Sequence, residues 1–165
     1  MSFMRRVVLV VVLTWTVRGA AAEEQKTHPF SVHDMLAMDR LSEWQASPDG
    51  KTIVFVRRTT DLEANKGRTD LWLVNADGTA LRRLTTHPDP DHSPRWTPDG
   101  KTIYFLSTRS GSPQIWRIAA DGGEAQQVTK EPLDVGSFVL SRDGMWIAFS
   151  MEVFPVAVPP DINVE

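Results

Sequence analysis

The chain has 165 residues, 41% of them hydrophobic and 24% charged, with a formal net charge of −3 and no cysteine. That length allows one domain or little more, and the missing cysteines exclude a disulfide scaffold, a thiolate metal site, a cysteine nucleophile and a lipidated cysteine. The hydrophobic fraction is that of a folded globular protein, the four histidines leave little material for metal chemistry, and the mild acidity offers no basic stripe for nucleic acid.

Arg5 and Arg6 precede an unbroken apolar run from Val7 to Leu13, and the segment closes on Ala20, Ala21 and Ala22. A positive start, a short apolar stretch and a small-residue ending form the pattern of a secretory signal peptide, and predict cleavage after Ala22. The apolar stretch is well short of the ~20 residues that span a bilayer, so it reads as a leader and not as an anchor. Its strong apolarity points to general secretion and not to twin-arginine export. Removing residues 1–22 takes away three arginines and no acid, which leaves a net charge of −6. The expected product is exported, periplasmic or extracellular, without membrane contact after cleavage and without a nucleic-acid partner.

Residues 23–40 lead into the fold. Ser31-Val32-His33-Asp34 opens Met35-Leu36-Ala37-Met38, which predicts a short helix with Ser31 as its N-cap.

The remainder repeats. Leu71-Trp72-Leu73-Val74-Asn75-Ala76-Asp77-Gly78 returns as Ile115-Trp116-Arg117-Ile118-Ala119-Ala120-Asp121-Gly122, 44 residues on. Leu84-Thr85 returns as Val128-Thr129, Thr97-Pro98-Asp99-Gly100 as Ser141-Arg142-Asp143-Gly144, and Ile103-Tyr104-Phe105 as Ile147-Ala148-Phe149, all at the same spacing of 44. An earlier copy, Ser47-Pro48-Asp49-Gly50 with Ile53-Val54-Phe55, stands 50 residues before its counterpart. The extra six residues fall in the polar stretch 57–70, where an inserted loop is expected because loop length costs little.

Each repeat reads as four short strands. The first ends in a Ser-Pro-Asp-Gly type turn, in which proline presets φ, aspartate bonds the local backbone and glycine accepts positive φ. The second, 51–57 or 101–107, sets Ile53 and Phe55 on one face and Val54 and Val56 on the other, so burial on both faces is expected. The third carries Trp72 or Trp116 and ends in Ala-Asp-Gly, a second hairpin turn. The fourth, 81–85 or 125–129, is short and more polar, as suits an outer edge. Four antiparallel strands every ~44 residues predict an all-β fold, a partial β-propeller of about three blades. A single β-sandwich does not demand identity at fixed spacing. The expected boundaries are 41–88 and 89–132 for two blades, 133–154 for an incomplete third, and 155–165 for an extended tail.

The combination of Ser47-Pro48-Asp49-Gly50-Lys51, Thr69-Asp70-Leu71-Trp72, Pro94-Arg95-Trp96-Thr97-Pro98-Asp99-Gly100-Lys101, Ser107-Thr108-Arg109-Ser110-Gly111, Gln114-Ile115-Trp116 and Glu152-Val153-Phe154-Pro155 resembles the N-terminal propeller of the prolyl oligopeptidase family of serine peptidases, in its dipeptidyl-peptidase and acylaminoacyl-peptidase branch. The resemblance runs over residues 30–154. It implies a propeller that covers an α/β-hydrolase domain and limits access of peptides to a Ser-Asp-His triad. The chain carries no G-x-S-x-G segment, so no catalytic residue is assigned and no activity is expected of it alone. The expectation is a piece of a longer peptidase. Its partner would be either the missing hydrolase domain or a second copy of itself, and peptides would be selected in the intact enzyme. A freestanding periplasmic propeller of the TolB kind that binds proteins is the alternative.

Individual residues add little chemistry. His87-Pro88-Asp89-Pro90-Asp91-His92 has the composition of a metal site, but two prolines and turn-forming aspartates read better as an inter-blade loop, and neither metal nor cofactor is expected. Ser141-Arg142-Asp143-Gly144-Met145-Trp146 is similar to a sialidase Asp-box with its spacing one short, and reads as another structural turn. His28 and His33 read as surface or capping residues. Arg57, Arg58, Asp61, Glu63, Lys66 and Arg68 are expected in a solvated loop of mixed charge, and Trp72 and Trp116 in core packing, not as a sugar platform. The family resemblance leaves one candidate, Glu152, as a propeller carboxylate that would hold a substrate's free amino group.

Overall fold

A computed structural model describes residues 28–153. The predicted leader (1–22), Phe154 and the expected tail (155–165) lie outside the described residues. Residues 31–153 belong to one compact unit.

Helix α1, Val32–Ala37, begins where its cap predicts. Ser31 is extended, its hydroxyl accepts from the Asp34 N–H, and the Asp34 carboxylate accepts from the Ser31 N–H. This reciprocal capping box satisfies two amides that the first turn leaves without partners.

Strands β1 (Arg40–Ala46), β2 (Thr52–Asp61), β3 (Lys66–Asn75) and β4 (Arg82–Arg83) form one antiparallel sheet in chain order. Strands β5 (Asp91–Trp96), β6 (Thr102–Ser107), β7 (Gln114–Ala119) and β8 (Gln126–Gln127) form a second in the same order. Strands β9 (Val135–Leu140) and β10 (Ile147–Met151) form a two-stranded third. The all-β, bladed architecture expected from the repeat is thus observed, and these sheets are called blades 1, 2 and 3. The innermost strands β1, β5 and β9 stand next to one another, while β4 and β8 are outer edges shorter than expected. Beyond β4, the Leu84 amide still donates to the Leu71 carbonyl at 2.8 Å, and beyond β8 the Val128 amide donates to that of Ile115 at 2.8 Å.

The turn between the first two strands of each blade is built three times from the same bonds. In blade 1 the Ser47 hydroxyl donates to Asp49 Oδ1 at 2.6 Å, the Lys51 amide donates to the same oxygen at 3.1 Å, and the Thr52 amide donates to Ser47 Oγ at 3.0 Å. Thr97, Asp99, Lys101 and Thr102 repeat the pattern, as do Ser141, Asp143, Met145 and Trp146. Position 141–146 is therefore a blade turn. The fourth residue of each turn has positive φ, 71° at both Gly50 and Gly144, which glycine adopts without steric cost.

Core lies between blades. Val54, Val56, Leu71 and Leu73 of blade 1 meet Ile103, Phe105 and Ile118 of blade 2, with Leu84 closing the outer end. Leu106 and Ile115, on the far side of blade 2, meet Val135 and Phe138 of blade 3. Strand β6 is buried on both faces as its sequence predicts. Strand β2 is not: Val54 and Val56 are buried, but Ile53 and Phe55 are half-buried, because no described sheet packs on that side of blade 1.

A second correction concerns residues 57–70. The six-residue insertion is not a loop but an extension of the hairpin, with pairing continued from Arg57↔Asp70 out to Asp61↔Lys66. Cross-strand bonds satisfy the backbone polar groups that a free loop would leave to water, and Thr59, Thr60 and Thr69 suit the pleat. The tip is tied by the Ala64 amide donating to Asp61 Oδ1 at 2.9 Å.

Candidate functional site

Two related clasps of side chains hold each of the first two blades together from within. Asp91, at the start of β5, is fully buried, and Arg109 Nη2 stands 2.7 Å from each of its carboxylate oxygens. Arg109 also donates from Nε to Ser107 Oγ at 2.9 Å, and its guanidinium lies over the rings of Phe105 and Trp116 at 5.3 and 5.0 Å. In blade 1, Arg57 donates from Nε to Asp39 at 2.8 Å and lies over Trp72 at 4.5 Å. The two tryptophans occupy equivalent places on β3 and β7, each under an arginine. An arginine over an indole is favoured electrostatically and covers an apolar face. The same stacking takes those ring faces away from any sugar.

Arg57 is therefore not part of a solvated loop. It is half-buried and pins the segment that follows α1 to blade 1. The sequence carries a signal for both clasps: aspartate and arginine 18 residues apart, at 39 and 57 and at 91 and 109, each followed on the next strand by a tryptophan. Composition hides it, because charged residues in a polar stretch look solvated.

Polar groups tie blade 2 to blade 1 at the inner strands and fasten neighbouring strands within a blade further out. On the inner strands Glu43 and Ser93 both have positive φ, 51° and 55°, at the irregularities of β1 and β5, and the Ser93 amide donates to the Glu43 carboxylate. Such bulges bend a strand and redirect side chains. The Trp96 indole donates to the Gln45 carbonyl at 3.2 Å. Asp70, 3% exposed, is held by Arg83 at 2.6 Å and Arg68 at 3.3 Å. Its counterpart in blade 2 is Gln114, 2% exposed, whose amide accepts from the Glu131 N–H at 2.9 Å and donates to the Glu131 and Leu133 carbonyls at 3.1 and 3.2 Å. It thereby fastens the connecting segment that leads into blade 3.

The exposed turn carboxylates are held below the usual aspartate range. For Asp49, Asp99 and Asp143 the leading cause is the hydroxyl bond from Ser47, Thr97 and Ser141, followed by the amide two residues on.

The candidates named from sequence are dispersed. His87 Nδ1 accepts from the Asp89 amide at 3.2 Å, a His92 ring nitrogen pairs with Ser93 Oγ at 3.1 Å, and Asp91 is committed to Arg109. Among the described residues no three His, Asp or Glu side chains converge to hold a metal. Glu152 lies exposed just past the end of β10. The largest apolar concavity described is a groove of about 670 Å³ on the open face of blade 1, lined by Leu41, Trp44, Ile53, Phe55, Val74 and Leu81 together with the Asp39–Arg57 pair.

Successive antiparallel sheets stacked face to face, with inner strands adjacent and identical turns, define an array of β-propeller blades. The chain belongs to the TolB beta propeller domain family, matched over residues 42–153. It is 33% identical over 119 residues to dipeptidyl-peptidase 5 of Porphyromonas endodontalis, a match that covers 72% of this chain and 17% of that relative. It is 46% identical over 56 residues to the Tol-Pal system protein TolB of Bordetella pertussis, covering 33% of this chain and 13% of that protein. The β-propeller domain of the Trilobed protease from Pyrococcus furiosus superposes with a TM-score of 0.54 at 19% identity, over 67% of this chain and 33% of that one, which is a likeness of fold. The chain is thus a propeller domain related both to peptidase propellers and to TolB, and its match spans about a sixth of the length of the peptidase relative.

Proposed function

We propose that the chain is the non-catalytic propeller portion of an exported serine peptidase of the prolyl oligopeptidase family, in which the blades gate and select peptide substrates. The observation that carries this reading is the continuous match to dipeptidyl-peptidase 5 over 72% of the chain, running through the blades and not confined to one repeat. On this reading the nucleophile would belong to a hydrolase domain that the blades cover, since these 165 residues carry no G-x-S-x-G segment. Within that reading Glu152, exposed beyond β10, is the carboxylate offered to a substrate's free amino group. The location is periplasmic or extracellular, in keeping with the leader-like residues 1–22.

Reading the genomic DNA beyond the codon for Glu165 tests the proposal. Further blades of similar period followed by a G-x-S-x-G segment in a strand-turn-helix context are expected, with or without repair of a frameshift. Several hundred bases with no such frame would overturn it. In the intact enzyme, Glu152→Gln is expected to raise KM for dipeptidyl substrates with a free amino terminus and to leave blocked substrates unaffected.

The stronger local identity to TolB, 46% over 56 residues, supports a second reading, a freestanding protein-binding propeller. Capture of a defined protein partner by the chain alone, with no coding sequence downstream, would select it.

A further inference from the structure

Five aspartates stand directly before a glycine, at positions 49, 77, 99, 121 and 143. At such a pair the glycine has no side chain to screen its amide from the neighbouring carboxyl, so the backbone there is chemically vulnerable. All five pairs lie in turns of one kind, in which the glycine amide donates to the carbonyl three residues earlier at 2.8–3.0 Å. The turns differ in what holds the carboxylate.

Four of the carboxylates are tied. Thr79 grips Asp77 twice, its amide donating to Oδ1 at 2.9 Å and its hydroxyl to the same oxygen at 2.6 Å. Asp49, Asp99 and Asp143 each accept from one hydroxyl and one amide of their own turns. These bonds favour the ionised form and hold all four groups below the usual aspartate range, the hydroxyl bond being the leading cause. Asp121 is exposed, and its carboxylate makes no hydrogen bond or ion pair among the described residues. The reason is local. The turn between β7 and β8 is the counterpart of the turn between β3 and β4, but Ala119 and Gly123 stand where blade 1 has Asn75 and Thr79. In blade 1 the Asn75 amide donates to the Thr79 carbonyl at 2.9 Å and Asn75 Nδ2 to Thr79 Oγ1 at 3.0 Å. Alanine and glycine offer no side chain for such ties. A Cβ built on Gly122 or Gly123 would meet nothing within 4 Å, so the turn stands open to water.

We propose that the Asp121-Gly122 pair is a modification site, at which the backbone rearranges spontaneously to isoaspartate in preference to the other four pairs.

The rearrangement needs only water. The Gly122 nitrogen attacks Cγ of the protonated Asp121 carboxyl, forming an N–Cγ bond. The amide proton and the carboxyl hydroxyl leave as water, and a five-membered succinimide remains. Water that adds at Cγ restores the aspartate. Water that adds at the α-carbonyl breaks the C–N bond there, which leaves the chain linked through Cγ and the α-carboxylate free. Composition is unchanged, and one carbon is added to the path of the backbone. That path leads into β8, which pairs with β7 through only two rungs, Trp116↔Gln127 and Arg117↔Gln126. In the tied turns the carboxyl must first give up its hydroxyl and amide bonds and take up a proton that those bonds oppose. The proposal is independent of the peptidase reading.

The test is incubation of the full chain at neutral pH and physiological temperature, followed by peptide mapping with electron-transfer fragmentation, which separates isoaspartate from aspartate. Isoaspartate is expected to accumulate at position 121 about tenfold faster than at 49, 77, 99 or 143, the cost of breaking bonds to a charged group. In concentrated urea the five rates should converge, because the sequence chemistry is shared and only the fold protects. Thr79→Ala, at an exposed position, should raise the rate at Asp77 several-fold. Asp121→Glu should remove the product at 121, since the larger ring closes poorly, and leave the other four unchanged. A rate at Asp121 no faster than at the tied aspartates, an order of rates that persists in urea, or an unaltered rate at Asp77 in Thr79→Ala would overturn the proposal.

Discussion

Arg109 grips Asp91 with a single terminal nitrogen 2.7 Å from both carboxylate oxygens, at a carboxylate with no solvent exposure and under a guanidinium side chain that is 11% exposed. Removing one partner of a buried pair strands the other charge. Arg109→Ala is therefore expected to destabilise the fold by about 3 kcal/mol or more. The related pair in blade 1, Arg57 with Asp39, has side chains 28% and 32% exposed. Arg57→Ala should cost only about 1 kcal/mol, mostly through lost cover on Trp72. Urea unfolding of the two variants side by side measures the contrast, and equal costs would show that burial does not set the strength of the clasps.

The blade turns also touch each other. A Cβ placed on Gly144 would stand 3.0 Å from Cδ of Pro98 in the preceding turn, whereas one on Gly50, at the same φ of 71°, would meet nothing within 4 Å. Gly50→Ala should cost about 1 kcal/mol, the penalty of the left-handed conformation alone. Gly144→Ala carries that penalty and a clash with a ring that cannot swing away, so its loss should be larger. Thermal unfolding ranks the two.

Acid should weaken the turns. Asp49, Asp99 and Asp143 titrate below the usual aspartate range because the folded turns donate hydroxyl and amide hydrogens to their ionised forms. A group whose pKa is depressed by folding contributes stability that is complete above the ordinary carboxylate value and is lost as pH falls through the folded value. Stability should thus decline below about pH 4. Replacing all three with asparagine should flatten that decline while lowering stability at neutral pH. A decline of unchanged steepness in the triple variant would place the acid sensitivity elsewhere.

Gln114 holds blade 3 to blade 2 through Glu131 and Leu133 while 2% exposed. Gln114→Leu leaves those backbone groups without partners, each worth about 1–3 kcal/mol when buried. Hydrogen exchange should show β9 and β10 opening faster with β2 and β3 little changed, because the bonds lost lie beyond β7.

Much of the architecture is readable from residue spacing. The turn triplets at 47–50, 97–100 and 141–144 fix the strand count, since each requires a hydroxyl, an aspartate and a glycine in fixed order. Ser31 and Asp34 declare the helix start in the same local way. The hairpin at 57–70 was not readable, because its outer rungs carry polar and charged residues on both faces and lack the alternation that marks a half-buried strand. The clasps were hidden for a related reason. Asp39 and Arg57 are separated by a strand and a turn, and a charge looks solvated until its partner is placed beside it.

The sequence by itself determined the repeat, the blade turns and the absence of thiol chemistry, all of which depend on residue identity and short-range backbone preference. Only the tertiary structure decided which faces are covered. Ile53 and Ile103 have the same chemistry and the same place in their strands, yet Ile103 is sealed and Ile53 borders an open groove. Burial is a property of what stands opposite a residue, and for Ile103 that neighbour is blade 1, whereas for Ile53 no described sheet fills the place.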